Sequence, residues 1–340
     1  MPHDAPAVSA LRRIAFLLEL AREPTYRVRA FRRAADIVSA LSVDELEGRI
    51  RQGSLQQLAG IGAVTAMTIT EAQRGETPVY LRRLESTEGR VVADDAVALR
   101  AALRGDCHTH SDWSDGGSSI QEMAETARSL GHEYVALTDH SPRLTVARGL
   151  SAERLRRQLE EVERLNGGLS PFRILTGIEV DINEDGSLDQ EEDLLGRLDI
   201  VVASVHSYLR MPREQMTERM LRAVTNPLTN VLGHCTGRMV AGRGRPESEF
   251  DADAVFDACR RFDVAVEINS RPERLDPPKR LLRLALEAGC RFAIDSDAHA
   301  PGQLGWQMNG CERAAACGVM AERVINTLTA TNLVAWADRA

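Results

Sequence analysis

Six of the eight histidines in this 340-residue chain fall in short clusters with carboxylates. The clusters read Cys107-His108-Thr109-His110 followed by Asp115, Thr138-Asp139-His140, Ser204-Val205-His206, Gly233-His234-Cys235 and Asp297-Ala298-His299, with Gly177-Ile178-Glu179-Val180-Asp181 among them. Imidazole and carboxylate with no thiolate required is the ligand chemistry of Zn, Mn or Fe, not of Ca or Cu(I). Alternate residues of an extended strand share a face, so His108 pairs with His110 and Asp297 with His299. These groups are too many for one tetrahedral ion and imply a multinuclear site. Neighbouring ions about 3.5–4 Å apart can clamp both oxygens of a phosphoryl transfer and acidify a bound water. His3, on the terminus, and His132, after Gly131, are read as structural. Cys107 and Cys235 should point away from the adjacent histidines and are assigned to packing.

The elements that must carry these groups alternate between strand and helix. Apolar strands are predicted at Leu103–Cys107, Tyr134–Leu137, Phe172–Ile178, Asp199–Ala203, Asn230–Leu232, Val264–Ile268 and Arg291–Ile294, with amphipathic segments such as Ile120–Leu130, Ala152–Leu165 and Ala252–Phe262 between them. That alternation implies a parallel sheet covered by helices, either open or closed into a barrel. The reactive residues fall at the C-terminal strand ends, the rim where active sites of parallel α/β folds gather.

The first eighty-odd residues read as all helix, over Ser9–Arg22, Tyr26–Leu41 and Val43–Gln52, with Ser42 as an N-cap. Leu58-Ala59-Gly60-Ile61-Gly62 then turns into a further helix. Between about Thr87 and Gly105 the pattern is vague, suiting a linker and a short helix. Residues 1–85 carry 12 Arg against 10 acidic groups, while the whole chain has a net charge of -8, so the front end is the place for a polyanion to land. Lys279 is the only lysine, which excludes a P-loop and a Schiff-base lyase using an N-terminal lysine. Six scattered cysteines read as reduced thiols, and no run of eighteen apolar residues offers a membrane span. Met1-Pro2-His3-Asp4 does not open a secretory signal, so a cytoplasmic location is expected.

Asp106-Cys107-His108-Thr109-His110, Thr138-Asp139-His140, Gly177-Ile178-Glu179, Ser204-Val205-His206, Leu232-Gly233-His234 and Ser296-Asp297-Ala298-His299 resemble, in order, the motifs of the polymerase and histidinol phosphatase (PHP) superfamily. The resemblance spans roughly residues 105–340 and implies a distorted (β/α)7 barrel with two or three divalent ions (Mn, Zn or Fe) that hydrolyses phosphoesters. Carried over by position, it puts a first ion on His108, His110, Glu179 and Asp297. Glu179 bridges to a second with His206 and His234, and Asp115, His140 and His299 hold a third. It gives Glu179, Asp297 and His299 catalytic roles. Asp115, with Gly233-His234-Cys235-Thr236-Gly237-Arg238 and Glu267–Asp276, is similar to the subgroup attached to bacterial family X DNA polymerases. A histidine is common there at the position of Arg271.

Residues 1–85 resemble the helix-hairpin-helix domain of the same polymerases, through Tyr26–Ala34 and the Gly60-Ile61-Gly62 turn, where backbone N–H groups meet a DNA phosphate. The resemblance makes Arg27, Arg29, Arg32, Arg33, Gly60, Ile61 and Gly62 the expected DNA contacts; a basic residue common just after the second glycine is Ala63 here. Only about twenty residues, the linker 86–104, separate the two parts, too few for a polymerase module. The expected activity is therefore phosphoester hydrolysis at DNA 3′ ends, as a 3′–5′ exonuclease or 3′-phosphatase, with an activated hydroxide as nucleophile. A phosphatase for a small phosphorylated metabolite, such as histidinol phosphate or a nucleotide, is the alternative. A DNA-binding module with a dead barrel is weaker, because no ligand position is lost. Arg238, Arg271 and Arg274 are expected to hold a substrate phosphate through forked hydrogen bonds. Asp139 and Asp181 are read as residues that orient ligands, with a strand-end cap as the equal alternative for each.

Overall fold

A computed structural model describes residues 5–86 and 92–338. The chain divides into two compact units, Met1–Val91 and Val92–Ala340.

The first unit is helical: α1 (Pro6–Leu20), α2 (Thr25–Ser39), α3 (Val43–Gln52), α4 (Ala63–Gln73) and α5 (Val79–Ser86). Its core is the apolar stripe the spacing predicts, Leu11, Ile14 and Leu18 of α1 packed with Val28, Phe31 and Val38 of α2 and Ile69 of α4. Ser42 caps α3 by accepting the Glu45 N–H at 3.2 Å, and Gly53 ends it in the left-handed region.

The second unit opens with α6 (Asp94–Ala102), which lies inside the stretch read as linker and packs on a helix of the barrel. Seven strands follow, β1 (Gly105–Thr109), β2 (Tyr134–Leu137), β3 (Arg173–Asp181), β4 (Ile200–Ser204), β5 (Val231–Leu232), β6 (Ala265–Asn269) and β7 (Phe292–Asp295). They are all parallel and lie in sequence order. Each crossover contains one helix: α7 (Ile120–Ser129), α8 (Ala152–Leu169), α9 (Glu192–Leu195), α10 (Arg213–Val224), α11 (Ala252–Arg261) and α12 (Lys279–Ala288), before α13 (Gln307–Ala315) and α14 (Ala330–Ala337).

The seam between β1 and β7 makes this a nearly closed, distorted (β/α)7 barrel. It is joined by a bridge between Thr109 and Ala298 and by the His110 N–H donating to the Ala298 carbonyl at 2.8 Å. Below it, Asp295 accepts the Cys107 N–H at 2.8 Å, and Asp106 accepts the Ser296 N–H at 3.2 Å. Carboxylates thus complete a ladder that the strands alone leave open, and they hold the His108/His110 strand against the one that delivers Asp297. Tyr134, Ala136, Leu175, Ile200, Val202, Val231, Ala265 and Ala293 form the barrel's own cluster. Their strand neighbours Val135, Ile174, Ile178, Val201, Val266 and Ile294 join apolar clusters with the helices. Leu175 and Glu179, like Ala265 and Glu267, share the inward face, so the apolar plug gives way to polar ligands at the strand ends.

Candidate metal centre

Glu179, 1% exposed at the end of β3, is the hub. Its Oε2 lies 2.9 Å from His140 Nδ1, 3.2 Å from His108 Nε2 and 3.6 Å from His110 Nε2. Its Oε1 lies 2.8 Å from His234 Nε2 and 3.2 Å from His206 Nε2. Asp115 Oδ1 sits 3.3 Å from His299 Nε2 and 3.5 Å from His140 Nε2. All nine expected ligands therefore come together at one rim.

The sharing differs in detail from the expected sets. Three groups offer one ligand atom per residue within 4.8 Å of one another: His110, Asp115, His140 and His299; His108, His110 and Glu179; and His140, Glu179 and His206. His110 thus reaches two groups, and His140 joins Glu179 as well as Asp115. Asp297 Oδ1 is 3.4 Å from His110 Nε2, but its carboxylate is also engaged by Arg271 at 3.5 Å, Arg274 at 3.4 Å and the Asn269 amide at 3.0 Å. Its backbone adopts φ 52°, a left-handed conformation that costs a non-glycine residue energy and clusters at functional sites.

The protein groups alone leave this centre incomplete. His108 Nε2, both ring nitrogens of His110, His140 Nδ1 and His206 Nε2 are buried with no hydrogen-bond partner. Buried polar atoms are otherwise satisfied in nearly every protein, so this donor set fits divalent ions. The same crowding couples the charges of these groups. Burial and then the neighbouring rings of His299 and His140 push the His110 pKa well down, favouring the neutral ring that binds metal. Burial opposes ionisation of Glu179, yet His108, His206 and His140 outweigh it and hold the carboxyl well below its usual range.

A ring of supporting contacts fixes the ligands. Asp181 accepts from His206 Nδ1 at 2.6 Å, which turns Nε2 to the centre. Asp139 touches no ring. It accepts the Ser111 N–H at 2.8 Å, the Ser111 hydroxyl at 2.6 Å, the Ser114 hydroxyl and the Gln158 amide at 2.6 Å, and so clamps the loop between His110 and Asp115. Sequence reasoning missed Glu267, which is fully buried, accepts from His108 Nδ1 at 2.6 Å and also takes the His234 N–H. Its signal was a carboxylate inside the apolar run Ala265-Val266-Glu267-Ile268.

A cavity of about 280 Å³ opens onto the centre, and Arg271 and Arg274 line it. Arg238 does not. Its guanidinium donates to the Arg274 carbonyl at 3.1 Å and to the Leu275 carbonyl, so it orders the loop that bears the other two. Its expected role as a phosphate clamp is corrected accordingly. Cys107 and Cys235 are buried in apolar clusters, and no metal-capable group among the described residues includes a cysteine. His132 packs on Arg100 at 3.1 Å, as a structural histidine should, while His3 lies outside the described residues.

The expected DNA contacts separate into two kinds. Arg32 forms a forked pair with Glu19 at 2.9 and 2.8 Å, and Arg27 is held by Glu23 and by the Tyr80 hydroxyl at 2.7 Å. These are framework contacts. Arg29 and Arg33 are exposed. Arg33 also lies over the hairpin, where a Cβ on Gly60 (φ 110°) would come 2.6 Å from its Nε. Gly62 is exposed at the start of α4, and Ile61 is buried beneath the turn.

Barrel and site define a metal-dependent phosphoester hydrolase. The chain belongs to the PHP family: it matches the PHP domain over residues 106–271, and the helix-hairpin-helix domain over residues 3–77. It is 40% identical over 237 residues to a Bacillus subtilis protein named DNA polymerase/3′-5′ exonuclease PolX. That match covers 70% of this chain and 41% of the relative, so the chain spans less than half of that protein's length. A probable phosphatase of a Thermoanaerobacter species is 30% identical over 237 residues, covering 65% of this chain and 89% of the relative. Among solved structures, histidinol phosphate phosphatase from Lactococcus lactis, complexed with zinc, L-histidinol and phosphate, aligns with a TM-score of 0.48 at 16% identity, covering 64% of this chain and 95% of that one.

Proposed function

We propose that the chain hydrolyses phosphoester bonds at DNA 3′ ends, as a 3′–5′ exonuclease or a 3′-phosphatase. The observation that carries this reading is the joining of a PHP barrel to a helix-hairpin-helix unit with exposed arginines on α2, of which Arg33 lies at the turn. Divalent ions, once bound, supply an acidified water and neutralise charge on the phosphate. The protein's part is to hold ligands and substrate in register. His108, His110, Glu179, Asp297, His206, His234, Asp115, His140 and His299 are the ligand set, and Glu267, Asp181 and Asp139 orient them. Arg271 and Arg274 offer guanidinium donors beside Asp297 to the incoming phosphate. Arg29, Arg33 and the backbone of Gly60–Gly62 take the phosphates of the strand away from the reacting end.

Purified protein supplied with Mn or Zn is given end-labelled single-stranded DNA carrying a 3′-hydroxyl or a 3′-phosphate, with His110→Ala as the control for contaminants. A ladder absent from the variant identifies the exonuclease; loss of the 3′-phosphate alone identifies end cleaning. The 30% identical probable phosphatase favours the second reading, a small-metabolite phosphatase. Intact DNA beside brisk hydrolysis of histidinol phosphate or a nucleotide would establish that reading instead.

A further inference from the structure

The cavity over the metal centre has walls of different chemistry. Arg271, Arg274 and the ligands make one part polar, whereas Leu144, Val146, Ala147 and Met239 make another part apolar. Val146 is 88% exposed, and with Leu144 and Met239 it puts aliphatic surface beside the polar wall of the same cavity.

Neither apolar element hangs loose. The loop with Leu144 and Val146 is tied at both ends: the Leu150 N–H donates to the His140 carbonyl at 2.7 Å, and Arg148 donates to the Asp112 carbonyl at 3.0 Å and to that of Ser114. Gly149 is so close to this loop's start that a Cβ there would fall 1.8 Å from the Ser141 carbonyl oxygen. Met239 is fixed by paired backbone bonds with Arg245, at 2.8 and 2.9 Å. The backbone that carries these apolar side chains is thus fixed at the mouth of the cavity over the metal centre.

We propose that Leu144, Val146 and Met239 form a seat for the nucleobase of the terminal nucleotide. The inference rests on the DNA-end reading above. A polyol or sugar phosphate would bury hydroxyls against a wall that has no side-chain partner for them, and a charged amine would meet the same wall unpaired. A nucleobase presents a weakly polar face and keeps its hydrogen-bonding edge free, so apolar contact with aliphatic side chains can cover that face without reading which base it is. At about 280 Å³, the cavity lies at the small end of ligand pockets, which suits the end of a strand.

The test uses the full chain with Mn and two oligonucleotides, one ending in an ordinary nucleotide and one ending in an abasic sugar. The kcat/KM ratio between them is compared in the native protein, in the doubly substituted Val146→Ser/Met239→Ser protein and in Val146→Ile. The native protein favours the base-bearing end by roughly tenfold, carried mainly by KM. The double variant brings the ratio towards one, and Val146→Ile retains it. A native ratio near one, or a ratio unchanged in the double variant, overturns the seat and leaves DNA-end hydrolysis standing. Failure to cut either oligonucleotide, with histidinol phosphate hydrolysed, overturns the seat together with the DNA-end reading.

Discussion

Glu267 Oε1 stands 2.6 Å from His108 Nδ1, and the same side chain accepts the backbone N–H of His234. One buried carboxylate thereby sets the ring of one proposed ligand and the chain position of another. Ligating histidines commonly rely on such a partner, whose loss costs about 10–100-fold in metal affinity. Glu267→Gln is therefore expected to weaken metal binding by that order while the barrel stays folded. Calorimetric titration of chelator-treated protein with Zn reads it; native affinity in the variant would refute the assignment.

Asp139 collects four donors from Ser111, Ser114 and Gln158. Replacing one acceptor oxygen by an amide sets donor against donor. Asp139→Asn should cost about 1–3 kcal/mol of stability. It should also loosen the Ser111–Asp115 loop, so that metal bound per chain falls at the Asp115, His140 and His299 group first. Urea melts and metal analysis after dialysis check both effects.

In the helical unit, Arg29 and Arg33 are exposed where Arg27 and Arg32 are paired. Arg29→Ala/Arg33→Ala should weaken DNA binding and reduce the salt slope by roughly 0.7 per lost contact on single strands. Arg32→Ala leaves Glu19, only 8% exposed, without its fork, and should cost about 2–3 kcal/mol of fold stability. Fluorescence anisotropy across a salt series, beside thermal melts, separates the two classes. Equal effects of all four arginines on binding, with none on stability, would contradict this division.

Burial, and then Arg100, bring the His132 pKa down to about 3. In the unfolded chain the ring takes its proton near pH 6.5, so below that pH the unfolded state binds more protons and stability falls. The loss begins as pH drops through about 6.5 and runs towards 3, at up to about 1.4 kcal/mol per pH unit. His132→Gln should remove about 2 kcal/mol of the difference in unfolding free energy between pH 7 and pH 5. An unchanged difference would show that this ring does not titrate on unfolding.

The architecture was legible because strand and helix leave different periods in the sequence, and all seven strands lie within a few residues of their expected spans. The clustering of the candidate ligands was legible because histidine is rare here and its spacing put it at strand ends. Charge alone, however, does not tell what a side chain will touch. Arg238 reads like a phosphate clamp but is spent on the carbonyls of Arg274 and Leu275. Arg27 and Arg32 read like DNA contacts but hold the helices together through Glu23, Tyr80 and Glu19. Glu267 was passed over because its strand looks like core, and its partner His108 lies 159 residues away. The short helix expected between Thr87 and Gly105 is found at Asp94–Ala102, but its bounds and its packing on α13 are tertiary facts.

In the proposed centre, Glu179 is the carboxylate around which the ions assemble. The direct test is elemental analysis of metal bound per chain, after equilibrium dialysis against Mn or Zn, in the native protein and in Glu179→Ala. Two or three ions per native chain are predicted, with loss of at least the ions shared by His108, His110 and His206 in the variant and of phosphoester hydrolysis with them. A variant that keeps the native number of ions and folds normally would contradict the shared centre.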